Sequence, residues 1–472
     1  MRLKTCIFPL IFLCSLSAFS QENYLISSTL LPLDNSRSFV TLNLEKNENA
    51  CGVINSKGIL EGQIPIEGIP LGMGKVGEKN VILFYAEKPK KLSPIKVIHA
   101  ALIETGKNKI LKDKIVYNNP GSKNIEEKIL CDAGGNFISL LVRVTDYSPQ
   151  MGGFGGNEEV KTSKTTSLTN ITLDNDLSPK EKEIKSIAFE STFLEACGGS
   201  NKNFYICSLS EDQLIAEKYD STGEIKGKIV TDVSIRRKST TKQVIQFDSL
   251  NANCINIALA YLSDQKDDFV QMFRFDFNTK KAITSENVSL NKDYVRSMKD
   301  GRESSKLSHF GNIRNLTPVK LIETSDKIIL IKEVQSQIVD KNSVTQKREG
   351  GIISVYTKDL KLLMETPIDK WCAFHLLKMP AINGSLQGDN LYIVTAEMKG
   401  LASYKTILYT LNINTGAIID TRKIDNEEPG FNWLAMPNCI MWSNKNFVVP
   451  FANVKSFFGT SLKTSMTIVK YQ

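Results

Sequence analysis

Histidine is scarce. The chain of 472 residues holds three, His99, His309 and His375, too far apart in sequence to form a local metal-ligand set. No Cys-x-x-Cys spacing exists to suggest zinc. Nucleophile elbows, His-Glu-x-x-His and oxygen-rich calcium loops are missing as well. The glycine run Met151-Gly152-Gly153-Phe154-Gly155-Gly156 lacks the strand-to-helix context and the Lys-Ser/Thr ending of a phosphate cradle, so it reads as a flexible loop. No metal and no cofactor is therefore expected. Motif-bearing enzyme classes fall away, whereas enzymes with dispersed sites do not. His375, beside Trp371 and Cys372 in an expected inner strand, reads as a core histidine, with acid or base work in a central channel as the alternative.

Long apolar runs are also lacking after the first residues. Arg2 and Lys4, then Cys6 to Leu16, then Ala18-Phe19-Ser20 have the form of a secretory leader: a basic start, an apolar stretch and a small-x-small cleavage site. That stretch is about half the ~20 residues a spanning helix needs. Residues 1–20 are expected to be a signal peptide cleaved after Ser20, and 21–472 one domain with no transmembrane segment. The expected address is periplasm, outer-membrane surface or medium. Without the leader the formal charge falls from +8 to +6, a mild excess that argues for neither nucleic acid nor anionic membrane. Composition, 41% hydrophobic and 23% charged, is that of a folded protein and excludes disordered and collagen-like classes.

Two patterns then alternate along the chain. The first is a polar turn followed at once by a β-branched or aromatic run, at 35–44, 77–85, 133–144, 200–209, 251–261, 324–334, 387–398 and 443–451. The second is a strand, a turn and another strand, as in Lys405 to Ile424, where Asn414-Thr415-Gly416 supplies residues tolerant of positive φ. It recurs at 51–66, 97–117, 168–187, 214–230, 270–290 and 351–368, and ends with the single run 464–472. Repeats of about forty to seventy residues indicate propeller blades or a solenoid. One segment departs from the pattern: Ser178-Pro179 followed by Lys180-Glu181-Lys182-Glu183 predicts a capped helix start and an irregular third unit.

The strand-turn-Gly-strand hairpins resemble those of WD-type and quinoprotein-type β-propellers over nearly all of residues 22–472. The Trp-Asp ending of WD repeats is absent, and Ile418 and Ile419 stand where a quinoprotein repeat has Trp, so no catalytic residue carries over. The resemblance implies an all-β propeller of eight four-stranded blades, or seven if a terminal piece is accessory, with N- and C-terminal strands closing the ring. Tyr24 to Leu31 is the expected donor to the last blade.

Labelling strands a to d outward, a–b and c–d turns emerge on one face and b–c and d–a connections on the other. The long segments Thr145–Leu168, Asn291–Asn315, Gln335–Gly350, Asp425–Pro437 and Ala452–Lys463 all fall on the second face. Long loops gathered on a rigid scaffold are a common binding design. That face collects Arg236, Arg237, Lys238, Arg296, Arg302, Lys347 and Arg348 as a basic rim, His309, and the aromatics Phe431, Trp433, Phe457 and Phe458. Of the seven cysteines left after the leader, Cys197 and Cys207 lie equally far from Lys202. They are either a cross-strand disulfide or two small buried hydrophobes.

The function expected is an exported, non-enzymatic propeller binding an envelope protein or polysaccharide through the long-loop face. The alternative is an exported glycosidase or lyase with dispersed carboxylates at the channel mouth. A quinone- or metal-dependent oxidoreductase ranks third. Fold class alone does not choose among them.

Overall fold

The computed structural model describes residues 30–470 apart from 35, 44–48, 56–59, 89–94, 96, 120–123, 132–137, 146–164, 185–191, 211, 234–241, 249–250, 252, 262–268, 287–315, 341–342, 374–381, 400–402, 425–432, 436–440, 443–445 and 456–460. Among the described residues every regular element is a strand. Blade one is β1 (Leu30–Pro32), β2 (Arg37–Asn43), β3 (Asn49–Asn55) and β4 (Ile64–Ile66). Blade two is β5 (Gly68–Val76), β6 (Asn80–Glu87), β7 (Val97–Glu104) and β8 (Lys109–Asn118). Blade three is β9 (Asn124–Cys131), β10 (Ile138–Thr145), β11 (Thr165–Leu173) and β12 (Pro179–Glu183). Blade four is β13 (Thr192–Gly198), β14 (Phe204–Ser210), β15 (Gln213–Tyr219) and β16 (Ile225–Asp232). Blade five is β17 (Lys242–Phe247), β18 (Cys254–Tyr261), β19 (Phe269–Asp276) and β20 (Lys281–Thr284). Blade six is β21 (Leu316–Glu323), β22 (Lys327–Asp340), β23 (Ser343–Thr357) and β24 (Leu362–Ala373). Blade seven is β25 (Ile382–Gln387), β26 (Asn390–Lys399), β27 (Ser403–Asn412) and β28 (Ile418–Ile424).

These seven sheets are antiparallel meanders of four strands in chain order. The eighth is built differently. Both β29 (Trp433–Ala435) and β30 (Met441–Trp442) pair with β31 (Asn446–Lys455), and β32 (Ser461–Lys470) pairs with β31 along its whole length. The inner position of this sheet is thus split in two.

First strands touch in succession from β1 through β5, β9, β13, β17, β21 and β25. β26 and β27 reach β29, β30 touches β1, and β2 touches β32. The sheets therefore close a ring, N-terminal strands against C-terminal ones. This is a β-propeller. Leu30 and Leu31 pair with Val40 and Phe39, so they form the inner strand of blade one and do not belong to the last sheet; the rest of the expected donor, Tyr24 to Thr29, lies outside the described residues.

Burial explains the sequence pattern. Second strands lie between two neighbouring blades and bury both faces, as Val81 to Ala86 and Phe204 to Ser208 do, and so read as continuous apolar runs. All eight turn-plus-run signals are second strands. Fourth strands lie where the blades fan apart. Pro179 to Glu183 is exposed at every residue, and the exposed large hydrophobics Leu111, Ile115, Ile225, Val230, Ile283, Leu363, Ile418 and Ile419 all sit on fourth strands. The expected helix at Ser178–Glu183 is therefore β12, paired with β11 from Leu173↔Pro179 to Thr169↔Glu183. An outermost strand needs no apolar stripe, and Pro is tolerated as its first residue. Blade three is regular.

Among the described residues, the six seams from blades one and two to blades six and seven are filled by side chains from both neighbours. Between blades six and seven, Ile329, Ile331, Ile353 and Val355 meet Ile382, Leu391, Ile393 and Leu411. Each such buried side chain contributes roughly 1.5–3 kcal/mol, so a blade depends on its neighbours for most of its core.

Candidate functional site

In the ring, a–b and c–d turns share one face and b–c and d–a connections the other. Arg236, Arg237 and Lys238 fall between β16 and β17, Arg296, Arg302 and His309 between β20 and β21, Phe431 between β28 and β29, and Phe457 and Phe458 between β31 and β32. All are d–a or b–c connections. These nine lie outside the described residues, as does His375; Trp433 is placed only as the first residue of β29.

The expected loop Gln335–Gly350 proves to be a β-ribbon. β21 starts at Leu316, opposite Val334, yet β22 and β23 keep pairing from Gln335↔Arg348 out to Asp340↔Ser343. Six residues beyond Val334 carry the ribbon about 20 Å at ~3.3 Å per residue. β24 accompanies its base as far as Lys347↔Ala373. Likewise, Ala452–Lys455 and Ser461–Lys463 of another expected loop belong to β31 and β32. Polar composition concealed the ribbon: Gln335, Ser336, Gln337 and Thr345, Gln346, Lys347 lack the apolar alternation of a half-buried strand. Its signal was the Asp340-Lys341-Asn342-Ser343 turn.

A line of irregularities separates ribbon from blade. Register shifts fall between Glu333 and Gln335 on β22, between Glu349 and Gly351 on β23, and opposite the latter on β24, where Asp369 and Lys370 are the extra residues. Gly350 takes φ 71°, a left-handed conformation that glycine adopts without strain, as bulges of this kind require. The Lys370 ammonium pairs with Glu333 Oε1, and neither side chain has any exposure. Lys332 Nζ donates to Glu365 Oε1 at 2.5 Å, and Ser354 Oγ donates to the same oxygen at 2.6 Å. Burial depresses the Lys332 amine, with Glu365 opposing. From blade seven the Tyr409 hydroxyl donates to Asp369 O at 2.8 Å. The ribbon therefore rises from a root fixed by charge-assisted bonds.

On blade two a second polar row lies near the same face. Tyr85, His99 and Asp113 come from β6, β7 and β8. Tyr85 OH donates to Asp113 Oδ2 at 2.5 Å, and the Tyr85 and His99 rings stack at 4.8 Å. His99 Nδ1 lies 3.4 Å from Asp113 Oδ1 and Nε2 3.3 Å from Glu87 Oε1. Burial, then Asp113, pushes the Tyr85 phenol up. His99 sits in the third strand of its blade; its partners were hidden because the register of three strands has to be known before they meet.

The inner ring carries a recurring device. Lys75 Nζ of blade two donates to Leu33 O of blade one at 2.8 Å, Lys128 pairs with Glu195 across blades three and four at 3.0 Å, and Lys320 Nζ donates to Gly384 O of blade seven at 2.8 Å. Each spans a seam. Lys320 has no carboxylate within ion-pair distance among the described residues, and burial pushes its amine down to about 8. Glu127 on β9 is pushed up to about 7, first by burial, with Glu126 adding to the shift.

Cys197 and Cys207 are not opposite one another. Asn201 and Lys202 occupy the turn with φ 55° and 62°, which centres the hairpin one residue earlier than equal spacing from Lys202 implies. Cys197 faces Tyr205 and Cys207 faces Glu195. Both thiols are unbridged. Burial raises the Cys197 thiol to about 12 and pushes the Cys207 thiol well above its ordinary value, so both are inert core groups. Among the described residues no cluster of His, Cys, Asp or Glu is arranged to hold a metal ion.

No family model and no curated protein matches the chain. Among solved structures it is similar to the WD40 domain of SCAP from fission yeast, at 6% identity and TM-score 0.39 over 94% of this chain and 92% of that one. It is also similar to the BP39L lectin from Burkholderia pseudomallei, at 9% identity and TM-score 0.43 over 85% and 100%. Strand order and ring closure make this chain a member of the β-propeller superfamily, with no narrower family attached.

Proposed function

We propose that this protein is an exported, non-enzymatic propeller that binds a cell-envelope protein or polymer through its b–c and d–a face. The observation that carries the reading is the ribbon of blade six, an element that adds nothing to the ring and projects on that face from a bonded root. Export rests on the leader at 1–20, and N-terminal sequencing of the exported protein should begin at Gln21. The basic residues of the d–a connections suit an anionic partner. Reversing charge at Arg236, Arg237 and Lys238 should weaken capture of such a partner at least tenfold, and unchanged affinity would remove the basic rim from the account. Neither nucleic acid nor a membrane-spanning segment enters this reading.

A second reading, a polysaccharide-active enzyme, is favoured by one observation. Glu127, with its carboxyl pushed up to about 7, shares the inner wall of the ring with Glu126 and Glu195 on β9 and β13. A carboxyl raised by burial is the general-acid half of the carboxyl pair a glycosidase uses. Turnover on a polysaccharide panel, abolished in Glu127→Gln, supports it; a panel without turnover removes it.

A further inference from the structure

The ribbon of blade six does not continue its blade as one unbroken sheet. The ladder is interrupted at one level on all three strands: on β22 between Glu333 and Gln335, on β23 between Glu349 and Gly351, and on β24 at Asp369 and Lys370. A bulge bends its strand and strengthens the local twist. With such breaks side by side, the paired backbone alone does not carry the direction of the blade into the ribbon.

Side chains bridge the break. Glu333 is the last residue of β22 to pair with β23 below it, opposite Gly351, and Gly351 is in turn opposite Ile368. Lys370 belongs to the bulge of β24, and its ammonium reaches across β23 to Glu333 Oε1. At that level β23 carries Gly350 and Gly351, which put no side chain in the way. A Cβ on Gly351 would lie 2.6 Å from Ile382 Cδ1, so the face that Gly351 shares with Glu333 is the one turned to blade seven. From that blade the Tyr409 hydroxyl donates to Asp369 O at 2.8 Å. The ion pair therefore ties β22 to β24 across the break, and the hydroxyl ties the bulge to the next blade.

Stability alone does not call for this pair. Removing two charges from water costs about what their attraction returns, and an apolar pair of similar volume does as well or better. The same seam is filled by Ile329, Ile331, Ile353 and Val355, so an apolar pair would suit the surroundings. What a directional ion pair adds is one fixed arrangement of the strands that hold it.

We propose that Glu333 and Lys370 are positioning residues that aim the ribbon of blade six, with the Tyr409 hydroxyl as a second anchor from blade seven. The inference rests on the ribbon as the binding element and adds what sets its direction. A swing of about 15° at the root carries the tip of the ~20 Å ribbon by about 5 Å, more than a hydrogen bond at its end tolerates.

The test reads the aim of the ribbon directly in the full chain. Spin labels on unnatural residues at Ser343, beside the ribbon turn, and at Glu183, at the end of β12 on the same face of the ring, report one distance by pulsed electron paramagnetic resonance. Lys370→Met with Glu333→Leu removes the pair and leaves no unmatched charge. The distance distribution should be narrow in the wild type and widen by about 5 Å in this variant, while amide exchange in β25 and β26 stays unchanged because the seam still holds. Tyr409→Phe keeps the ring and loses only the hydroxyl; it should widen the distribution less, and it carries the test if the double variant does not fold. Distributions equally narrow in wild type and variants, or already broad in the wild type, would overturn the proposal. Partner capture, measured separately, tells the two claims apart. Widening with capture unchanged supports the aim and removes the ribbon from binding, whereas capture lost from a variant whose distribution stays narrow overturns the aim.

Discussion

Single residues in this protein separate structural charge from reactive charge. Lys370 and Glu333 are fully buried and matched, so removing one partner leaves an uncompensated charge. Lys370→Met should cost about 3–5 kcal/mol in denaturant unfolding, and adding Glu333→Leu should recover most of it. A double variant as unstable as the single one would place the damage in packing and not in charge. Lys320 is the opposite case, an amine whose acceptor among the described residues is a carbonyl. At pH 7.5 the Lys320 amine, pushed down to about 8, should take up an acylating reagent more than ~10-fold faster than surface lysines. Peptide mapping that finds Lys320 among the slowest would show an amine sealed by the seam. Neither role was legible in the sequence, where Lys320, Lys332 and Lys370 look like ordinary alternating strand positions; burial in the two seams of blade six distinguishes them.

At the scale of elements, the sequence was most readable where local chemistry dictates geometry. The hairpin from Lys405 to Ile424 forms as its turn residues predict. Asn412 Oδ1 accepts from Asn414 N and Thr415 N, Gly416 N donates to Asn412 O at 2.8 Å, and Gly416 takes φ 72°. A Cβ there would lie 2.8 Å from Met364 Sδ and in a left-handed backbone. Gly416→Ala should therefore lower stability by about 1–2 kcal/mol, and an unchanged melting temperature would mean that the turn relaxes. Reading failed where tertiary position overrides local pattern. Lys180 to Glu183 read as helix because charge alternation is compatible with both periods; an outer blade position made it a strand. The ribbon failed for a similar reason, because its polar sequence carries no apolar alternation. For the same reason it contributes little to folding. Replacing residues 336–347 by a two-residue Asn-Gly turn should shift the melting temperature by less than ~3 °C while weakening partner binding, whereas a large loss of stability would make the ribbon part of the scaffold.

The whole molecule is a ring in which every blade is finished by its neighbours. Repetition made this architecture legible: eight second-strand signals and seven hairpins fall on the observed strands one for one. Exact closure was less legible, since Leu30 and Leu31 could serve either end of the chain by composition and only pairing with β2 places them. The face proposed to bind was legible as a direction, not as a surface, because connection order fixes the face while register fixes what stands on it. The claim that this face engages the partner is tested most directly by cross-linking mass spectrometry on the mature protein captured from native envelope, wild type beside the ribbon-shortened variant. The account predicts one stoichiometric partner cross-linked through residues 335–349 and the d–a connections, and lost from the variant. Cross-links confined to the a–b and c–d turns, or capture unchanged by shortening the ribbon, would contradict it.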